Sequence, residues 1–304
     1  MNSNIREREG KLVLVKKIGL FIPTLNAGDL FHEVLKGISV QNLDIPIRKL
    51  IIDSGSKDET TAMATRNGFE VVEINKSEFN HGGTRNLAVE ILDDCEIIVM
   101  MTQDVIIENA SSIKELLSEI MSNDNVFMAY GRQIADDQKG NWFEKRARLF
   151  NYPPESMVKS ISDVEKLGVK TVFASNAFAA YNVEKFKAIG GFPSDVNFSE
   201  DMFIAARGVL SGYSISYESK ATVLHTHSYS LKEEYRRYME IGKFHKNQKW
   251  IQEAFGRNEG EGIKSVINEL VSLISEGKIY LIFHLLLLNL TKYAGYKKGV
   301  NYGD

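Results

Sequence analysis

Asp104 stands just beyond an apolar run, Val99-Met100-Met101, with the polar pair Thr102-Gln103 between them. A buried strand that delivers a carboxylate at its C-terminal tip is where open α/β sheets bind ligands, because strand ends and the loops after them line the crevice. A hard carboxylate oxygen there suits Mg²⁺ or Mn²⁺, usually beside phosphate oxygens. His225 and His227, which an extended segment turns to one face, could each add a nitrogen ligand. Alone, such an Asp also reads as a helix cap, and either histidine as a hydrogen-bonded polar residue of a binding site. Three further polar tips follow apolar runs or open helices: Pro23-Thr24-Leu25-Asn26, Asp53-Ser54-Gly55-Ser56 and Glu200-Asp201. If these tips share one sheet edge, a ligand site outweighs a cap. The first two are too poor in glycine for a dinucleotide fingerprint, and no Gly-x-x-x-x-Gly-Lys loop occurs.

The surrounding pattern supplies that edge. Short apolar runs alternate with helical spacing from Ile18 onward, which predicts βα units on a mostly parallel sheet. Ile18–Ile22 reads as a first strand ending at Pro23, followed by a helix with Leu30, Phe31, Val34, Leu35 and Ile38 on one face and Asp29 as its cap. Further strands are expected at Lys49–Ile52, Val71–Ile74, Ile97–Met101 and Val126–Tyr130. Val172–Tyr181 reads as a strand, Ser199 onward as a helix through Leu210, and Tyr213–Leu224 as two short strands. Asn141–Glu155, where aromatics alternate with cations before Pro153-Pro154, fits either an acceptor-binding flap or an amphipathic helix packed on the sheet. Long helices follow Tyr229, so the expected units are residues 15–228 and a helical extension, 229–304.

Bulk properties narrow the class. The 304 residues allow a large core, and Lys plus Arg (37) nearly balance Asp plus Glu (40), so total charge gives no reason to expect nucleic acid as a partner. The single cysteine, Cys95, beside a buried strand, reads as a core thiol in a reducing, cytoplasmic setting. Met1–Lys17 carries charges throughout and lacks the apolar core of a secretion signal. The longest apolar run, Ile279–Leu290, is short for a membrane span.

In order, Ile22-Pro23-Thr24-Leu25-Asn26, Ile51–Asp58, Gly83-Thr84-Arg85-Asn86, Thr102-Gln103-Asp104 and Ser199-Glu200-Asp201 resemble the family 2 glycosyltransferases of GT-A fold. Phe79–Asn86 and Thr102-Gln103-Asp104 look like the bacterial rhamnosyltransferases that use dTDP-L-rhamnose. The resemblance implies an inverting transfer of a 6-deoxyhexose to a sugar hydroxyl of a cell-surface polysaccharide precursor. It makes Pro23, Thr24, Asn26, Asp53, Ser54 and Gly55 the nucleotide cradle, Arg85 a diphosphate contact and Asp201 the catalytic base, with Glu200 its rival. Gln103 then stands beside Asp104 in a motif whose first acid is absent, so a Mn²⁺ or Mg²⁺ site rests on Asp104 with His225 or His227. Carrier-linked acceptors would bring the C-terminal helices, with Leu281, Ile282, Leu285 and Leu286 near lysines, to an anionic membrane; packing on neighbouring helices or in a homodimer is the other reading. A UDP-hexose donor, a nucleotidyltransferase, and a nucleotide-sugar-binding protein without activity are the alternatives.

Overall fold

The computed structural model describes residues 5–8, 11–14, 17–194, 196, 198–227, 229–256 and 259–302. Residues 15 and 228, the expected limits of the first unit, lie outside them, as do parts of Met1–Lys17. In chain order the strands are β1 Ile5–Arg8, β2 Lys11–Leu14, β3 Ile18–Thr24, β4 Ile47–Asp53, β5 Glu70–Glu73, β6 Ile97–Met101, β7 Ile106–Ile107, β8 Val126–Ile134, β9 Met157–Lys159, β10 Phe178–Asn182 and β11 Ser214–Leu224. The helices are α1 Leu30–Ser39, α2 Thr60–Arg66, α3 His81–Ile91, α4 Ser112–Ser122, α5 Trp142–Asn151, α6 Val164–Leu167, α7 Val183–Ala188, α8 Glu200–Leu210, α9 Leu231–Asn247, α10 Lys249–Phe255, α11 Glu259–Ser275 and α12 Ile282–Val300.

β1 and β2 form their own antiparallel hairpin, and the other strands build one sheet in the order β5-β4-β3-β6-β10-β8-β11-β7, with β9 on β11. β5, β4, β3 and β6 are parallel neighbours, and β11 is parallel to β8. β10 runs antiparallel to both β6 and β8, so β8 again points the way β6 does. The C-terminal ends of β3, β4, β6, β8 and β11 therefore open on one edge, and β10 begins there. This is the mixed, mostly parallel GT-A arrangement, with helices on both faces and a helical extension.

The sheet is buried on both sides because its strands are continuously apolar rather than alternating. Along β6, Ile98 and Met100 pack into one core and Ile97, Val99 and Met101 into the other. The first strand runs past the expected stop at Pro23. On the β6 side its pairing ends at Phe21, while on the β4 side it continues to Thr24 opposite Asp53, so the proline's missing N–H falls where only one neighbour remains.

Two other expectations change. Val172–Tyr181 is not one strand: a 3₁₀ turn at Gly168–Val172 precedes a loop, and only Phe178–Asn182 joins the sheet. Ser175 and Asn176 leave the ladder because their side chains bond across the site. The two short strands expected in Tyr213–Leu224 are one, its register shift between Glu218 and Thr222 absorbing the extra residues. Asp29 precedes α1 without a side-chain capping bond.

The C-terminal helices are not a detached appendage, since Phe244, Ile251 and Phe255 enter the core that holds Met100 and Tyr181. α9 starts from a capping box between Ser230 and Glu233. It packs closely on α12 through Gly242, Gly295 and Gly299; a Cβ on Gly299 would meet the Met239 carbonyl. Among the described residues, no helix is long and apolar enough to cross a membrane.

Candidate functional site

Asp104 follows β6, and His225 and His227 follow β11, so parallel strand ends bring them together. Asp104 Oδ2 lies 3.6 Å from His225 Nε2 and 3.4 Å from His227 Nε2. The two Nε2 atoms face each other at 2.5 Å, and one ligand atom from each residue falls within 4.8 Å of the others. The tautomer follows from the neighbours. Gln133 Oε1, at the end of β8, also accepts from Arg148, and the Gln133 amide N–H is used on Ser175 Oγ (2.8 Å). His225 Nδ1, 2.8 Å from that oxygen, must therefore be the protonated nitrogen, leaving the Nε2 lone pair toward Asp104. His227 donates its backbone N–H to Glu144 (2.5 Å) and stacks on Tyr229.

Burial lowers the pKa of both imidazoles, that of His227 to about 4, with His225 adding to the effect. Burial alone would raise the Asp104 carboxyl; a protonated His225, by hydrogen bond and charge, would reverse this and hold it below the usual carboxylate range, and a cation in place of that proton would act in the same direction. Two neutral nitrogens and a carboxylate thus converge, while Asp104 Oδ1 is buried without a partner. The donor set and the orphaned oxygen fit a divalent cation. Glycine-poor as it is, the Thr102-Gln103-Asp104 tip also does structural work: Gln103 accepts from the Leu25 N–H (2.8 Å) and donates to the Leu25 carbonyl (3.2 Å), fastening the end of β3 to that of β6.

Across the edge, Asp201 and Glu200 open α8 after Ser199, whose φ of 63° makes the turn. Asp201 Oδ2 accepts from the Asn176 N–H (3.4 Å) and Oδ1 from the Met202 N–H (2.8 Å). Burial, reinforced by the charge of Glu200, pushes the Asp201 carboxyl up to about 7. Glu200 is held down by Arg85 and His81 against its own burial. It pairs with Arg85 Nη1 at 3.1 Å and accepts from Asn176 Nδ2 (3.0 Å), whose Oδ1 accepts from Tyr181 Oη (2.6 Å). Ser175 and Asn176 are consecutive, so one short loop bonds both the histidine cluster, through Gln133, and the Asp201 carboxylate.

Arg85, expected on a diphosphate, is buried and turned toward Glu200 and the His81 carbonyl (2.8 Å). The neighbouring motif residues clamp the same region. Asn80 caps α3 through the Gly83 N–H, a Cβ on Gly82 would meet the Pro193 carbonyl, and Asn86 exchanges two hydrogen bonds with the Phe192 backbone.

The cradle residues form a tight double loop. Asp53 is 1% exposed and accepts from Thr24 Oγ1 (2.8 Å), Ser56 Oγ (2.6 Å) and the N–H groups of Gly55 (3.0 Å) and Ser56 (2.7 Å). Ser54 bonds the Thr24 carbonyl, and Asn26, at φ 44°, accepts from the Lys57 N–H (2.8 Å). Pro23 lies in β3 beneath this loop. Gln133, Glu144, Arg148, Asn176 and Tyr181 were not singled out from sequence. Only Arg148 carried a signal, as one of the cations of the aromatic segment.

The model of the family described as glycosyl transferase family 2 matches residues 20–190. The O-antigen chain rhamnosyltransferase RfbN of Salmonella typhimurium (strain LT2) is 42% identical over 284 residues, covering 93% of this chain and 89% of its own. The O-antigen chain rhamnosyltransferase WbaN of Salmonella anatum is 40% identical, covering 92% and 88%. Among solved structures, the mannosyltransferase PcManGT from Pyrobaculum calidifontis, in complex with GDP-Man and Mn²⁺, superposes with a TM-score of 0.65 at 14% identity, covering 94% of this chain and 88% of that one. S. aureus TarS 1-349 in complex with UDP-GlcNAc gives 0.54 at 15% identity, covering 93% and 90%. At such identities the structural likeness speaks for the fold.

Proposed function

We propose, from the premise that the chain belongs to glycosyl transferase family 2, that it transfers L-rhamnose from dTDP-β-L-rhamnose to a sugar hydroxyl of a cell-surface polysaccharide precursor, with inversion. The observation that carries the catalytic part is the Ser175-Asn176 loop, which ties a base-forming carboxyl to a cation-fitting cluster on one strand edge. The donor rests on both relatives being named O-antigen chain rhamnosyltransferases over nearly their full lengths.

In this reading Asp104, His225 and His227 would hold Mn²⁺ or Mg²⁺, which supplies positive charge against that growing on the departing diphosphate. The acceptor oxygen bonds to the sugar's anomeric carbon as the bond from that carbon to dTDP breaks, and the acceptor proton goes to Asp201. A sugar hydroxyl is far too weak an acid to ionise at neutral pH, so its proton must leave as attack proceeds. A carboxyl with its pKa near 7 is a better proton acceptor than an ordinary one and is still substantially ionised at neutral pH. A single displacement inverts the centre and needs no second nucleophile. Glu200 and Arg85 are positioning residues behind Asp201. Asp53 shapes the loop that receives the base, and the Ser56 hydroxyl is the partner that can rotate aside for a ring N–H.

Residues 15–228 act as the transferase unit and 229–304 as its extension. The acceptor is lipid-linked, and the outer face of α11 and α12 touches the inner face of the plasma membrane peripherally.

Two measurements test the reading. Asp201→Asn should abolish transfer while leaving dTDP and Mn²⁺ binding intact; retained transfer removes Asp201 as base. A thermal-shift panel of dTDP-rhamnose, UDP-glucose, UDP-galactose and GDP-mannose, with and without Mn²⁺, should favour dTDP-rhamnose with metal, and a preference for another donor overturns the assignment.

A further inference from the structure

The site as described is short of positive charge. With Asp104 ionised and both imidazoles neutral, a bound divalent cation would keep a single net positive charge. A nucleoside diphosphate gains negative charge as it departs, because the electron pair of the breaking bond stays on the diphosphate oxygen. Charge developing in this way is best met by a preorganised cation beside it. Arg85, the residue expected there, is spent on Glu200 and the His81 carbonyl. Arg148 is spent as well, donating to Gln133 Oε1 with its other arm 3.9 Å from Glu144.

Arg237 keeps its charge. It is exposed on the second turn of α9, and among the described residues no carboxylate lies within ion-pair distance of it. Its guanidinium carbon sits 5.4 Å from the centre of the Tyr229 ring, and that ring stacks on His227 with centroids 5.0 Å and planes 19° apart. A ring face holds a guanidinium in place without neutralising it, so a single aromatic ring separates an uncompensated cation from the histidine cluster. The same charge reaches the other half of the site. Tyr152, buried with its hydroxyl beside Ser175, has its pKa raised by burial, and Arg148, Ser175 and Arg237 oppose that shift while Asp201 adds to it. The backbone that carries Arg237 is fixed: α9 starts from its capping box, Gly242 packs against α12, and Phe244 enters the core.

We propose that Arg237 contacts the β-phosphate of the donor diphosphate and holds the charge that gathers there as the sugar leaves, the role for which the sequence pointed to Arg85. The β-phosphate carries the leaving oxygen, and a planar fork matches two phosphate oxygens. The proposal rests on the nucleotide-sugar transfer put forward above. It adds a residue of the helical extension to the site, so that residues 229–304 complete the donor pocket.

The test compares the full-length wild type with Arg237→Met and Arg237→Lys. Binding of dTDP and of dTMP in the presence of Mn²⁺, and of Mn²⁺ alone, is read by calorimetry; release of dTDP from dTDP-rhamnose is followed with water as the acceptor. Arg237→Met should weaken dTDP binding at least about tenfold, as expected for a lost charge-assisted hydrogen bond. Affinity for dTMP, affinity for Mn²⁺ alone and the melting temperature should be unchanged. The rate of dTDP release should fall about 100–1000-fold, the usual loss for one donor aimed at developing charge. Arg237→Lys, which keeps the charge but not the fork, should recover part of both losses.

Unchanged dTDP affinity and unchanged dTDP release in Arg237→Met overturn the proposal. Equal weakening of dTDP and dTMP also overturns it, because the residue then does not act at the β-phosphate. A parallel loss of Mn²⁺ affinity does the same, by making Arg237 a support for His227 through the Tyr229 ring. A wild type that prefers UDP to dTDP overturns the donor assignment alone, and UDP against UMP then decides the contact.

Discussion

Arg85→Met separates two roles that sequence could not. The guanidinium is 3.1 Å from Glu200, donates 2.8 Å to the His81 carbonyl, and both side chains of the pair are under a tenth exposed (3% and 9%). Removing one partner leaves Glu200 charged and buried, with Asn176 and the nearby His81 to hold it but no paired cation. Uncompensated charges of this kind cost about 3–5 kcal/mol. At roughly 2–4 °C per kcal/mol for a chain of this order of size, the melting temperature should fall by about 6–20 °C. Arg85→Met/Glu200→Gln removes the stranded charge, because an amide still accepts from Asn176, and should recover most of the loss. The assay is thermal and urea unfolding of wild type, single and double variants, with dTDP–Mn²⁺ titration of each folded protein. If the single variant melts within about 1 kcal/mol of wild type and instead binds dTDP more than tenfold more weakly, the residue contacts diphosphate and the positioning argument is wrong.

The Asp201 carboxyl, raised to about 7, gives two signed pH dependences. Transfer should rise with pH through about 7 as the base form appears, and an acid limb near pH 4 would contradict the raised value. Its stabilising contribution is complete below the ordinary aspartate range and is lost as pH rises through about 7, so Asp201→Asn should flatten that part of the stability profile, read by urea unfolding. Gln133→Leu removes the acceptor that orients His225 and should weaken Mn²⁺ binding about 10–100-fold by calorimetry, while Gln133→Glu retains it. Asp104→Ala should abolish the Mn²⁺ dependence of dTDP binding; a titration insensitive to EDTA in the wild type would refute the site. Gly299→Val drives a side chain into the Met239 carbonyl and should cost about 1–3 kcal/mol in thermal unfolding without changing dTDP affinity.

The strand tips were legible because each ends a continuous apolar run, and parallel connection alone puts Thr24, Asp53 and Asp104 on one edge. The direction of β10 was not, since a five-residue apolar strand reads the same either way; its antiparallel course is what brings Asn176 to that edge. Arg85 shows a different limit. The Asn80–Asn86 motif was visible, but its residues act on Pro193, Phe192 and Glu200, more than a hundred residues along the chain, and no local pattern names such partners. Gln133 was missed for the same reason, its role existing only when β8 and β11 pair in register at Ile134 and Leu224.

The two halves of the site are anchored differently, and the difference follows from how α5 is held. None of its residues is buried, so no apolar stripe fixes it to the sheet. It is tied by Glu144 to the His227 N–H, by Arg148 to Gln133, and by Trp142 and Arg146 to Glu276 beyond α11. The contacts of Trp142 and Arg146 with Glu276 are exposed and worth roughly 1 kcal/mol or less each, whereas those of Glu144 and Arg148 are partly buried. Asp201, by contrast, stands on a buried ion pair, the buried Asn176–Tyr181 bond and a helix whose Ile204, Ala205 and Val209 are in the core. Asp201 thus stands on core packing, and the cation cluster on partly buried polar contacts to α5. A donor diphosphate bound between them would meet a proton acceptor whose place is set by core packing, which keeps the reacting geometry defined from that side.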